Sequence, residues 1–239
     1  MCGRFTLTAD LDEVQRRFDF AEQDLAVSRR YNIAPTDAVV AVRRRASDAG
    51  ARNHGEAMRW GLVPFWSKTG PKGPPMINAR DDKVETSRMF SAAFERRRCL
   101  VPADGFYEWR KTGEGRGAVK VPLRFTLKGG GLFAFAGVWE SWRAPDGERV
   151  HSCAIITTAP NELMAPVHDR MPVILPEEAE EAWLDPATRD FAALRAFLKP
   201  LPANSMECYT VSTAVNSVKN DDPSCIAPGE PPPQQSALL

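Results

Sequence analysis

The sequence predicts a single α+β domain, a mainly antiparallel β-sheet with flanking helices. Short β-rich runs outnumber helical ones, compact turn clusters join many of them, and no break in composition marks a second domain. In chain order, helical patterning begins at Asp10–Phe18, with Thr8 or Asp10 as cap. A β run follows at Ala38–Val42. Ser87–Arg97 reads as a helix with Met89, Phe90 and Phe94 on one face. Further β runs fall at Cys99–Pro102, Leu123–Leu127, Leu132–Val138, Ser152–Thr157, Val173–Leu175 and Cys208–Val211. Lys128-Gly129-Gly130-Gly131 and Pro145-Asp146-Gly147 are turn signals between them. Pro176–Trp183 is expected to continue into Phe191–Leu198 as helix, with acidic residues in its first turn where the helix dipole favours them. The domain is expected over residues 1–226, and the Pro-rich stretch 227–239 as a disordered tail.

The chain has 239 residues, 43% hydrophobic and 26% charged, an ordinary composition that excludes wholesale disorder. No run approaches the roughly 18 apolar residues of a membrane span, and no charged-then-apolar leader opens the chain, so a cytoplasmic protein is expected. Lys and Arg balance Asp and Glu at 31 each, which argues against nucleic acid at first sight. The sum hides an asymmetry: residues 1–124 carry 23 basic and 16 acidic side chains, residues 125–239 carry 8 and 15. A polyanion-facing surface in the first half is one reading; interleaving of the halves on folding is the other. Five scattered cysteines without a C-x-x-C pair, and three histidines, offer no clustered ligand set, so no metal is expected. Cys99 and Cys153, in apolar runs, read as buried hydrophobes.

Cys2 differs by position. Removal of Met1 leaves an α-amine and a thiol on adjacent carbons, with reference pKa values of about 7.7–8.0 and 8.5. Such a 1,2-aminothiol condenses with an aldehyde to an imine, and the thiol then closes a five-membered thiazolidine. The plain alternative is a small residue suited to Met removal. Asn78, in Ile77-Asn78-Ala79-Arg80, can orient an amine or serve as a loop residue, and Arg80 offers a planar fork for phosphate. Glu108, among Phe106, Tyr107 and Trp109, reads as a desolvated proton carrier or as a solvated strand residue. His168, in the turn Val167-His168-Asp169-Arg170, is the natural acid/base near neutral pH, whereas His54 reads as solvent-exposed. Trp60-Gly61-Leu62-Val63-Pro64-Phe65-Trp66 and Tyr31-Asn32-Ile33-Ala34-Pro35 carry rings and prolines fit to stack on bases; Trp60 is assigned to the core and Trp66 to the surface.

Taken in order, these motifs resemble the SRAP family, the SOS-response-associated peptidases or abasic-site-processing proteins. The matching elements are Met1–Phe5, Tyr31–Pro35, Trp60–Pro64, Ile77–Arg80 with Glu85–Phe90, Ala103–Trp109, His168–Pro172 and Val215–Asn220. The resemblance implies a curved or barrel-like sheet and covalent capture of abasic sites in single-stranded DNA, without cofactor, metal or membrane. A monomer is expected, nucleoid-associated when engaged on DNA. Cys2 would form the thiazolidine, Asn78 would orient its amine, Glu108 would move protons, and His168 would act as acid/base at the sugar, including any strand cleavage. Arg4, Arg80 and Arg170 would hold phosphates, with Thr157 a further backbone contact. Pro35 and Trp66 would shape a kink at the lesion. Phe65 stands where relatives carry a second Trp. The family name also implies autoproteolytic removal of the residue before Cys2. The rival reading is an N-terminal-nucleophile cysteine amidohydrolase or peptidase, in which the thiol attacks an amide and the free amine is the base. A non-catalytic DNA-damage binding module is a third.

Overall fold

The structure, a computed structural model, describes residues 2–20, 25, 28–44, 53–113 and 118–229. Its centre is a closed ring of five strands: β3 (Ala38–Arg43), β4 (His54–Trp60), β6 (Arg98–Ala103), β9 (Phe133–Arg143) and β10 (Arg149–Thr158). All neighbours in the ring are antiparallel except β10 and β4, which run parallel. The ring removes its own edges by closing on itself. Gly137 on β9 makes one seam fit: a Cβ there would lie 2.8 Å from Cys99 Sγ.

A second sheet is antiparallel throughout, in the order β13 (Met206–Thr210), β8 (Val119–Leu127), β7 (Gly105–Thr112), β1 (Phe5–Leu7) and β2 (Arg30–Ile33). The two layers meet through aromatic side chains. Phe5 sits edge-on to Trp60 and Phe135, with ring centroids 5.0 and 5.7 Å away, and Phe106 stacks on Phe125 at 5.2 Å. Such pairs add about 0.5–1.5 kcal/mol beyond area burial.

The helices flank these layers. α1 (Leu11–Phe18) starts as read: the Asp10 side chain accepts from Glu13 N–H at 3.0 Å, and Asp19 ends it in the left-handed region. α2 (Ser91–Arg96) begins later than its apolar pattern, because Ser87–Phe90 is spent in turns. The long C-terminal helix is two, α3 (Glu177–Leu184) and α4 (Phe191–Arg195). Pro186 forces Asp185 into extended backbone between them. The run 173–175 also divides. β11 (Met171–Pro172) pairs with β10, β12 (Ile174–Leu175) pairs with β9, and Val173 bonds to both Ile156 and Ala136 as the chain crosses over.

His54, expected in an exposed loop, opens β4 opposite Arg43 and is half-buried. Cys99, Cys153 and Trp60 are buried as read. Residues 227–229, expected to open the tail, pair with 210–212: Pro228 bridges Val211, and Gly229 N–H donates to Thr210 O at 2.9 Å. The remaining tail, 230–239, lies outside the described residues, as does Met1. Among the described residues no helix is long and apolar enough to cross a membrane.

Candidate functional site

Cys2 lies just upstream of β1, where pairing of Phe5 with Phe106 and a 2.9 Å bond from Tyr107 N–H to Arg4 O lay the start of the chain along β7. It is fully buried, its Sγ 3.7 Å from Arg4 O. Opposite stands β5 (Asn78–Arg80), a three-residue strand held parallel to β10 with Asn78 in register with Ile155. Asn78 Nδ2 donates to the Cys2 carbonyl oxygen at 2.9 Å. The amide therefore grips the backbone of Cys2, and its Oδ1 is buried with no hydrogen-bond partner among the described residues.

Glu108 reaches the same place from β7. Strand alternation puts it on the face of Phe106, which packs in the main core, and sends Tyr107 and Trp109 to the opposite face with Val211, Val215 and Cys225. Burial of Glu108 therefore comes from its own face and not from all the rings beside it in sequence. That burial raises its carboxyl pKa, opposed by the positive charges of the amino terminus and of His168. Burial, and next the charge of Glu108, push the Cys2 thiol far above its ordinary value. Cys2, Glu108 and His168 thus form one electrostatic group. The Arg170 backbone N–H lies 3.0 Å from His168 Nδ1. The Asp169 carboxylate is 2.9 Å from the same nitrogen, ready to balance a charged ring.

The arginines are less free than their motifs suggest. Arg4 Nη1 donates to Asn32 Oδ1 at 2.8 Å and to Val215 O at 2.9 Å, and its guanidinium lies over Trp109, 5.8 Å from the ring centroid. Burial lowers its pKa. Arg80 is exposed and forked onto Asp82 at 2.8 and 2.9 Å. Arg170, largely buried, donates to Asp81 at 2.5 Å and also to the Thr157 carbonyl. Thr157 is fully buried in β10, its hydroxyl 3.4 Å from the same guanidinium. Arg80 and Arg170 are therefore locally balanced by Asp82 and Asp81. Pro35 occupies a turn closed by Asp37 N–H on Ala34 O at 3.1 Å, with Thr36 at φ 80°. Trp66 is 41% exposed and Phe65 59%, so both rings face outward.

Three residues of this framework carry roles that the motifs did not suggest. Asn32, buried, donates to the carbonyls of Val215, Ser217 and Asn220 while accepting from Arg4. Asp221 accepts from the Tyr31 and Asn32 N–H groups, and Asp81 anchors Arg170. The ordered motifs Tyr31–Pro35 and Val215–Asn220 were the available signal: they form one clamp. Among the described residues no group of three or more His, Cys, Asp or Glu side chains gathers as a metal site requires. A concavity of about 500 Å³ lies elsewhere, against Asp104, Arg124 and Glu207, and holds none of these site residues.

Comparison with known proteins finds relatives over nearly the whole chain. The family model described as SOS response associated peptidase (SRAP) matches residues 1–218. Abasic site processing protein YoqW of Bacillus subtilis (strain 168) is 42% identical over 229 residues, covering 95% of this chain and 99% of that one. Abasic site processing protein YedK of Escherichia coli (strain K12) is 30% identical over 238 residues, covering 95% and 100%. A crystal structure of a protein from Bacteroides thetaiotaomicron superposes with a TM-score of 0.80 at 25% identity, covering 96% of this chain and all of that one. The ring of strands, the motif order and a family match spanning nearly the whole chain lead to one conclusion: this chain belongs to the SRAP family.

Proposed function

We propose that the chain covalently captures abasic sites in single-stranded DNA through its N-terminal cysteine, one protein per lesion. The observation that carries this reading is the grip of Asn78 on Cys2 beside Glu108 and His168. The names of the relatives, abasic site processing proteins, support it.

An abasic site in its ring-opened form is an aldehyde at C1′. Once Met1 is gone, the Cys2 amine adds to that carbon, and water leaves to give an imine. The thiol then adds across the C=N bond: sulfur joins C1′, its proton passes to nitrogen, and a thiazolidine closes. Burial and the charge of Glu108 hold the thiol protonated, so the amine is the stronger first nucleophile. Asn78 Oδ1, without a donor of its own, suits the new amine, and its Nδ2 fixes the carbonyl behind it. Glu108, with its raised pKa, carries protons for carbinolamine formation and dehydration. His168 acts at the sugar. From the imine it takes a C2′ proton while the C3′–O bond breaks, which cleaves the strand by β-elimination. Arg4, Arg80 and Arg170 hold phosphates, with buried Thr157 positioning Arg170 through its carbonyl, and Pro35 and Trp66 shape the strand at the lesion.

Incubating Met1-processed protein with abasic single-stranded DNA should give a gel-stable 1:1 adduct in intact-mass analysis. Cys2→Ala, or retention of Met1, should abolish it. Equal crosslinking by Cys2→Ala would overturn the mechanism, and release of ammonia from glutamine would favour the amidohydrolase.

A further inference from the structure

Beside Asn78 the protein carries a second feature, of which the capture reading uses only Trp66. A slot of about 270 Å³ opens among Pro64, Trp66, Pro75, Met76, Met89 and Arg59. It is tied to the site by backbone: Leu62 N–H donates to Met76 O at 3.0 Å, the Trp60 indole N–H donates to Ile77 O at 3.0 Å, and Asn78 follows directly. One indole, four prolines and two thioethers make half of the lining. The exposed indole of Trp66 is held by the Arg88 guanidinium, 4.8 Å from its ring centroid.

Arg59 is the anomaly in this lining. Among the described residues no carboxylate lies within ion-pair distance of it, its Nη1 makes only a 3.3 Å bond to Thr36 O, and its Nε is buried without a partner. A guanidinium placed against apolar groups without a counter-charge gains most from a ligand that brings paired acceptors. A nucleobase has two apolar faces to lie against an indole and methionines, and an edge of acceptors. Guanine sets two acceptors, O6 and N7, side by side to match an arginine fork; unpaired cytosine offers a second such pair, O2 and N3, on a smaller ring with less face for the indole.

We propose that this slot takes the unpaired base adjoining the abasic site, with Arg59 reading the O6/N7 edge so that guanine is preferred. The inference rests on the abasic-site reading above. Its test is fluorescence anisotropy with the wild-type chain and single strands carrying a tetrahydrofuran spacer, which has no aldehyde and cannot crosslink. The nucleotide on either side of the spacer is G, A, C, T or a second spacer. The dissociation constant should be about tenfold lower with G than with the other bases on one side of the spacer. Arg59→Met should remove that preference. If this variant does not fold, Met89→Trp, which fills the slot from its rim, should do the same. Constants equal within twofold for all five neighbours, or a guanine preference retained in both variants, would overturn the proposal. Crosslinking to true abasic DNA is scored separately: its absence beside an intact base preference refutes the capture chemistry and leaves the slot standing.

Discussion

The Asn78 side-chain amide donates to the Cys2 carbonyl oxygen over 2.9 Å, while its own Oδ1 is buried and meets no donor among the described residues. One side chain thus holds the backbone of Cys2 and keeps an acceptor in reserve. Asn78→Ala should slow crosslink formation about tenfold, the equivalent of roughly 1.4 kcal/mol. Asn78→Asp should be no better, because a carboxylate cannot donate to the carbonyl. Single-turnover crosslinking followed on denaturing gels measures both, and an Asn78→Asp rate equal to the parent's would refute the need for a donor.

Glu108→Gln separates proton transfer from packing. Loss of a positioned proton carrier should slow capture about 100-fold. Stability should move the other way. Burial holds the folded-state pKa of Glu108 above the ordinary 4.5, so between those two values the folded chain binds more protons than the unfolded one. Stability therefore falls as pH rises through that window, and the loss persists above it. The glutamine variant has no such proton to lose. It should melt at or above the parent's temperature at neutral pH, with the gap closing below the ordinary carboxylate value. Thermal melts at both ends of the range decide; a variant less stable at neutral pH would contradict the sign.

Asp81 matters through Arg170. The 2.5 Å bond between them is largely buried, with side-chain exposures of 22% and 11%, and the same guanidinium reaches the Thr157 carbonyl. Asp81→Ala leaves that charge uncompensated, at a cost of about 2–3 kcal/mol. For a chain of this size the melting temperature should drop by roughly 4–12 °C. Calorimetry tests this, and an unchanged melting temperature would show that the pair contributes nothing.

Thr36 sits at φ 80°, in a conformation that a β-branched residue rarely adopts. Three backbone contacts hold it there: its N–H on Trp60 O at 2.8 Å, Arg59 Nη1 on its carbonyl at 3.3 Å, and closure of the turn by Asp37 on Ala34 at 3.1 Å. Thr36→Gly removes the steric cost and should stabilise the fold by about 1 kcal/mol, or roughly 2–4 °C. A lower melting temperature would mean that the Thr36 side chain makes contacts worth more than the strain.

Much of the site was legible because its chemistry is tied to residue type. Cys2 needs only to stand second, His168 only to sit in a charged turn, and Trp60 and Cys99 only to lie in apolar runs. The longer strands and α1 were legible for a related reason: alternation, turn residues and the Asp10 cap act within a few positions of each other. Other elements have no local signature. β5 is three residues long and exists because β10 pairs with it in parallel, and that pairing turns Asn78 from a loop residue into the clamp on Cys2. Closure of the ring between β4 and β10, and the split of 173–175 between two partner strands, likewise depend on distant segments.

The sequence by itself therefore named the candidate reactive groups and determined the α+β class and the family resemblance, since composition and short-range periodicity are properties of neighbours along the chain. Tertiary structure alone decided which groups share a dielectric. It placed Glu108 on the face of Cys2 and away from Tyr107 and Trp109, and it bound Arg170 to Asp81 and Arg4 to Asn32. Burial and charge pairing are sums over segments far apart in sequence, and those sums exist only once the strands have closed.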